Sequence, residues 1–209
     1  MMKILAIGAH FDDVELGCGG ALAKHHAMGD KVFIYVPTIS GYSDHNNNSV
    51  RGKEEALLEG KKAAEILGAN LIAGSFETCR LEFVEELNVE ILKIIEKENI
   101  DLIYTHWCAD IHHDHFALAR ASLHSGRHVK RILLYRSNWY HSFVDFRGNF
   151  YVDITDTWRK KEEAIKAHAS EYDRVGDKWL RFFRNEAENA GQKIGCQLAE
   201  AFEVVKWLI

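Results

Sequence analysis

Short apolar runs and longer stretches of helical spacing take turns from the start of the chain, the pattern of strands alternating with amphipathic helices. Lys3–Gly8 is an apolar run closed by glycine, and Gly17–Met28 reads as a helix stopped by Gly29. Lys31–Pro37, rich in β-branched and aromatic residues, predicts a second strand. Thr38–Val50 carries Gly41, Asp44 and the run Asn46-Asn47-Asn48, so it is a long polar loop. Loops of that length in compact domains are commonly functional, and this one is expected to wall a crevice. Helical spacing returns over Arg51–Leu67 and stops at Gly68, a residue type suited to a helix C-cap. Asn70–Ala73, Asp101–Thr105 and Arg131–Tyr135 predict further strands, with helices over Phe83–Glu98 and His115–Ser125. Beyond Tyr135 the strict alternation fails. Ser137–Phe146 reads as a loop, Phe150–Ile154 as an extra strand, Asp156–Ala169 and Trp179–Asn189 as helices, and Ala201–Lys206 as a last strand.

This order predicts an α/β fold, a Rossmann-like and mostly parallel sheet with helices on both faces. Residues 1–135 form the regular part, and the C-terminal portion is expected to complete the same core. There are no repeats, low-complexity tracts or linkers, so residues 1–209 read as one domain.

Composition narrows the classes. The chain is long enough to bury a core without disulfides, and its 47% hydrophobic and 27% charged residues are ordinary for a globular protein. A formal charge of −5 provides no basic footprint, so nucleic acid is not an expected partner. Cys18, Cys79, Cys108 and Cys196 are scattered and form no C-x-x-C pair, which argues against a zinc knuckle or a thioredoxin-like site. The apolar run Ile4–Ala9 is cut by His10, Asp12 and Asp13. It is too short for a signal peptide or membrane span, so the expected location is the cytoplasm, with no membrane partner.

Twelve histidines matter by where they fall. One cluster, Gly8-Ala9-His10-Phe11-Asp12-Asp13-Val14-Glu15, follows the first strand. A second, His106-Trp107-Cys108-Ala109-Asp110-Ile111-His112-His113-Asp114-His115, follows the fourth. In a doubly wound sheet these two strands are neighbours across the reversal of strand order, where ligands collect. Taken singly, adjacent aspartates fit a solvated turn or a helix cap. Placed together, imidazoles and carboxylates make a ligand set for Zn²⁺, with two histidines and a carboxylate leaving one position open. His112 and His115 share a helix face if the helix begins there, and His113 then points elsewhere. A dinucleotide site fits poorly: Gly8, Gly17, Gly19 and Gly20 do not spell G-x-G-x-x-G, and two carboxylates stand where a pyrophosphate would approach.

At these residues the sequence resembles the LmbE-like, or PIG-L-type, zinc-dependent N-acetylglucosaminyl deacetylase family. Its A-H-P-D-D stands here as Ala9-His10-Phe11-Asp12-Asp13, with Glu15 nearby and Leu16-Gly17-Cys18-Gly19-Gly20 following; its H-x-D-H stands as His112-His113-Asp114-His115. Arg51 to Gly68 resembles the family's arginine-led helix ending in Leu-Gly. Phe11 and His113 replace prolines at spacer positions, a change to loop rigidity more than to chemistry. The resemblance implies His10, Asp13 and His115 as ligands of one Zn²⁺, a site that Fe²⁺, Co²⁺ or Mn²⁺ would also suit. It implies Asp12 as general base, His112 as oxyanion stabiliser or proton donor to the leaving amine, and Arg51 as a substrate contact. Asp110 and Asp114 are candidates either for orienting the histidines or for surface and capping roles.

The activity so implied is removal of acetyl from an N-acetyl amino sugar, whether free, nucleotide-linked or part of a glycoconjugate. Zinc would polarise the amide and acidify its water. The loop Ser137-Asn138-Trp139-Tyr140-His141 offers aromatic and amide groups for a sugar ring, or simply a packed rim. The family resemblance also fits a homo-oligomer. Two other classes remain: a phosphoesterase-type metallohydrolase, which would want a second metal and more carboxylates, and a silent sugar-binding protein on the same fold.

Overall fold

The computed structural model describes residues 1–209. In chain order the elements are β1 (Lys3–Ile7), α1 (Asp13–Ala27), β2 (Lys31–Thr38), β3 (Tyr42–Ser43), β4 (Ser49–Arg51), α2 (Lys53–Leu67), β5 (Ala69–Phe76) and α3 (Glu85–Glu98). They continue with β6 (Leu102–His106), α4 (His113–Ser125), β7 (Arg131–Tyr135), β8 (Phe150–Asp153), α5 (Trp158–Ala167), α6 (Ala169–Val175), α7 (Lys178–Ile194) and β9 (Ala199–Trp207).

One seven-stranded sheet runs in the order β5-β2-β1-β6-β7-β9-β8. The strands from β5 to β7 are parallel; β9 is antiparallel to both β7 and β8. This is the expected α/β architecture. β1 and β6 are direct neighbours, with Ile4 opposite Leu102 and Ala6 opposite Tyr104. β1 is buried on both faces, so its alternate residues feed two cores. Ile4 and Ala6 join the cluster of Leu22, Val32, Ala63 and Leu133, while Leu5 and Ile7 join that of Leu87, Ile91, Leu118 and Ile132. β8 and β9 extend the same sheet. Beside them a smaller cluster gathers Leu16, Ile154, Trp158, Trp179 and Phe183.

α1 begins at Asp13, earlier than its apolar spacing predicts. Every residue from Asp13 to Ala23 is buried, so the helix carries no polar face to mark its start. Its acidic first turn, with Asp13 and Glu15, sits at the positive end of the helix dipole. Glycines bring it close to its neighbours: a Cβ at Gly17 would stand 2.1 Å from Tyr135 Cδ2, and one at Gly20 2.9 Å from Ile154 Cβ. Three further differences concern α4, which starts at His113, the Thr38–Val50 segment, which holds the β3–β4 hairpin, and the unforeseen α6. No helix is long and apolar enough to cross a membrane.

Candidate metal centre and crevice

The turns leaving β1 and β6 face each other, as the topology requires. Ala9 N–H donates to His106 Nε2 at 3.0 Å and ties the two turns together. Asp13, the first residue of α1, stands at the centre. Its Oδ1 accepts from Ser137 Oγ at 2.8 Å and lies 3.2 Å from His115 Nε2. Its Oδ2 accepts the His10 backbone N–H at 2.8 Å and lies 3.3 Å from both His10 Nδ1 and His106 Nε2.

The far nitrogen of each expected imidazole ligand is held by a carboxylate. His10 Nε2 is 2.8 Å from Asp114 Oδ2, and His115 Nδ1 is 3.0 Å from Asp110 Oδ2. Asp114 in turn accepts the backbone N–H groups of Cys79 and Leu81, and Asp110 accepts from Asn138 Nδ2 and the His112 N–H. Histidines bound outward to carboxylates, with their inner nitrogens converging on a third carboxylate, are the construction of a metal site. Donor atoms of His10, His112 and His115 lie within 4.8 Å of one another, as do those of Asp13, His106 and His115. The trio His10, Asp13 and His115 straddles both groups.

Charge tells the same story. Burial opposes protonation of His10, yet hydrogen bonds with Asp114 and Asp13 raise it to about 9. Burial likewise opposes His115, and the charge of Asp13 with the Asp110 hydrogen bond raises it to about 10. Burial alone would raise Asp13; the charges of His115 and His106 hold it well below the usual carboxylate range. Two imidazolium protons thus converge on one carboxylate, where a divalent cation would bring the same charge to the same donors.

His112 caps α4. Its Nδ1 accepts the Asp114 N–H at 3.3 Å, which leaves the proton on Nε2. Its ring stacks on His115 at 4.4 Å and meets His10 edge-on at 4.9 Å. Burial, then the charges of His115 and His10, lower it to about 4. His113 is exposed.

Asp12 differs from Asp13 in backbone, partners and charge. Its backbone has φ 141 and ψ −29, a conformation costing a non-glycine residue roughly 1–3 kcal/mol. Its side chain makes no capping hydrogen bond, although it stands at the N-cap of α1. Instead it lines a cavity of about 330 Å³ together with Asp13, His112, His115, Ser137 and Asn138. Burial and then the charge of Asp13 raise its carboxyl to about 7.

The cavity's outer wall comes from Trp139, Tyr140, Arg174, Lys178 and Trp179. Of the loop following β7, then, residues Ser137 to Tyr140 face the crevice, and His141 is exposed outside it. Arg51 does not line this space. It is 3% exposed, and its guanidinium donates to Phe11 O at 2.8 Å and Glu59 Oε2 at 2.7 Å, with His168 Nδ1 at 3.2 Å. It stands close to the crevice all the same, with Asp12 Oδ2 3.9 Å from its Nη1. The Thr38–Val50 segment does not line the crevice either. It acts at one remove, because Tyr42 Oη donates to Glu171, the partner of Arg174. A larger cavity of about 580 Å³ lies between α7 and β9, with Leu16 and Gly17 of α1 on its wall, and its Arg136 and Glu186 satisfy each other at 2.8 Å.

Sequence reasoning did not single out Ser137, Asn138, His106, His168 or Arg174. The first two lie in the loop noted for its aromatic and amide groups, with Asn138 expected at a sugar rather than on Asp110, and His106 opens the second cluster. Arg174 had no local signal, since α6 is short and falls between two expected helices.

With this geometry in view, comparison with known proteins is decisive. Residues 5–125 match the family model described as PIG-L, GlcNAc-PI de-N-acetylase. The chain belongs to the PIG-L family. It is therefore a hydrolase of acetamide C–N bonds, as the paired motifs imply. A diacetylchitobiose deacetylase of Thermococcus kodakarensis is 29% identical over 222 residues, covering 97% of this chain and 83% of that protein. An uncharacterized deacetylase of Escherichia coli is 31% identical over 183 residues, covering 80% and 90% respectively. Among solved structures, the N,N'-diacetylchitobiose deacetylase of Pyrococcus horikoshii superposes with a TM-score of 0.81 at 26% identity, over 97% of this chain and 83% of the other. PIG-L membership agrees with a metal site at the histidine–aspartate cluster.

Proposed function

We propose that this PIG-L member hydrolyses the acetamide of an N-acetylglucosamine-type sugar, with one divalent ion, zinc by donor type, held by His10, Asp13 and His115. When bound, the ion polarises the amide carbonyl and acidifies a water molecule. Asp12 takes the water's proton and returns it to the departing amine, and His112, neutral with its Nε2–H free of protein partners, hydrogen-bonds the developing oxyanion. Asp110 and Asp114 orient the ligand imidazoles.

The observation that carries this reading is the division of labour between adjacent aspartates. Asp13 has both oxygens committed to imidazoles, Ser137 and backbone, whereas Asp12 faces the crevice without a capping bond. A carboxylate already surrounded by donors is a poor proton acceptor; an uncommitted one beside it is a good one. Trp139, Tyr140 and Trp179, with the Asn138 amide, suit a sugar ring whose faces are apolar and whose edges hydrogen-bond. The relatives named for diacetylchitobiose favour a short, soluble N-acetylated saccharide. The residues engaged come from the parallel strands and from the loop after β7, so we treat residues 1–209 as one catalytic domain.

The test is release of free amine and acetate, in equal amounts, from a panel of N-acetyl sugars, with metal content measured on the same preparation. Turnover that disappears with a chelator and returns with about one equivalent of zinc supports the reading. Binding without turnover would mark a silent sugar-binding protein. A requirement for two ions, with phosphate esters cleaved, would replace it by a phosphoesterase.

A further inference from the structure

The crevice is charged unevenly along its depth. Its floor holds the carboxylates of Asp12 and Asp13, which a bound divalent ion would balance, whereas its mouth carries the cations Arg174 and Lys178 alongside Tyr140 and Trp179. Against a net charge of −5 for the whole chain, that is a local reversal of sign. Arg174 is oriented by one carboxylate. Its Nε donates to Glu171 Oε2 at 3.1 Å, its Nη2 donates to the same oxygen, and Nη1 is left without a protein partner. Glu171 is 4% exposed, and Tyr42 Oη donates to its other oxygen at 2.7 Å. Taking a carboxylate out of water costs free energy, so this pair fixes where a half-exposed guanidinium points rather than adding stability. Lys178 is exposed, and no carboxylate answers it. Asp177 beside it gives its Oδ1 to Tyr172 Oη and makes no capping bond to α7, so the positive end of that 17-residue helix adds to the charge of Lys178.

We infer that the N-acetyl sugar accepted by this crevice carries an anionic substituent, phosphate or carboxylate, which Arg174 and Lys178 bind at the mouth. Deeper in the crevice the carboxylates of Asp12 and Asp13 disfavour such a group; at the mouth it meets two cations. A guanidinium with a free nitrogen and an unpaired ammonium suit an oxyanion of either kind, through charge-assisted hydrogen bonds. A neutral saccharide would leave Lys178 unanswered. The kinetic part rests on the proposed deacetylation; the binding part does not.

The experiment measures kcat/KM for amine release by the zinc-loaded enzyme from two neutral sugars, N-acetylglucosamine and diacetylchitobiose, and from four anionic forms. These are N-acetylglucosamine 1-phosphate, the 6-phosphate, the uridine diphosphate conjugate and the 3-O-lactyl ether, so the preferred arm identifies the carrier of the charge. At least one should exceed the neutral sugars by about tenfold or more. Raising salt from about 0.05 to 0.5 M should shrink that ratio, because screening weakens exposed charge pairs. Lys178→Gln and Arg174→Gln should each lower the ratio about 3- to 10-fold, mainly through KM. Lys178→Gln decides the question if Arg174→Gln, which strands the buried Glu171, does not fold. Lys62→Gln, the same charge change on an exposed residue of α2, should leave the ratio alone. No anionic preference, a preference that survives in the folded variants, or an equal loss in Lys62→Gln overturns the inference. If no compound releases amine, the deacetylase reading fails, and calorimetric titration with the same six compounds decides the subsite on its own. Tighter binding of an anion, lost in Lys178→Gln, sustains it; equal binding of all six, or none, overturns it.

Discussion

On the floor of the crevice the expected metal ligands are gripped from two sides, whereas the groups along its rim hang from few contacts. His10 is held between Asp13 and Asp114, His115 between Asp13 and Asp110, and Asp13 is 4% exposed. On the rim, Tyr140 is 53% exposed, the Arg174 side chain 52%, and Trp139 leans on the Phe182 ring at 5.6 Å. Beyond it Phe143 is wholly exposed. The difference teaches where precision is needed. Bond-making groups must be held to within a fraction of an ångström, and buried second partners supply that. A surface that only surrounds a sugar tolerates movement, because its contribution is spread over many weak contacts.

The contrast can be broken most severely at Asp13. Asp13→Ala removes the carboxylate on which the imidazoles converge, so metal content should drop from about one equivalent toward none, and activity with it. Analysis of the purified variant by atomic emission checks this. A fully loaded variant would move the metal to the His10, His112 and His115 group.

Next comes Asp12→Asn, which retains shape and removes basicity. Metal content and KM should hold while kcat falls by roughly 10²–10⁴, the usual cost of losing a general base. Single-turnover rates on loaded enzyme measure it, and a near-wild-type rate would end the role of Asp12.

A smaller effect belongs to the outer grip. Asp114→Asn keeps an acceptor for only one of the Cys79 and Leu81 amides, which use different oxygens, and loses the charge that orients His10. Metal affinity, read by competition with a chromophoric chelator, should weaken about 10- to 100-fold. If affinity is unchanged, the Asp114 carboxylate serves the loop at Cys79 and not the metal.

The smallest effect is expected on the rim. Trp139→Ala should raise KM about 2- to 10-fold, the worth of one aromatic contact of about 0.5–1.5 kcal/mol, with metal content and kcat little altered. Isothermal titration with a slow substrate gives the corresponding Kd. A collapse of kcat would show the rim to be as tightly coupled to the chemistry as the floor.

The fold and the floor were legible in the sequence for related reasons. Strand and helix periodicities are local, and a parallel sheet places the turns after β1 and β6 side by side whatever else the chain does. Two short motifs, each within a single turn, could therefore name His10, Asp12, Asp13, His112 and His115 as neighbours. The start of α1 was misplaced because its first turn is polar yet buried. α6 was missed because seven residues are too few to show a period.

What tertiary structure alone decided is the direction in which side chains act. Arg51 meets His168, 117 positions away, and Glu59, partners that its place at the head of α2 does not announce. Ser137 meets Asp13 across 124 positions, and Arg174 enters the crevice on a helix without a signature of its own. Residue spacing along one turn sets which donors are available and how the backbone presents them. Which of those donors face the crevice, and which are spent on each other, follows from packing between segments distant in sequence, and no local pattern records that.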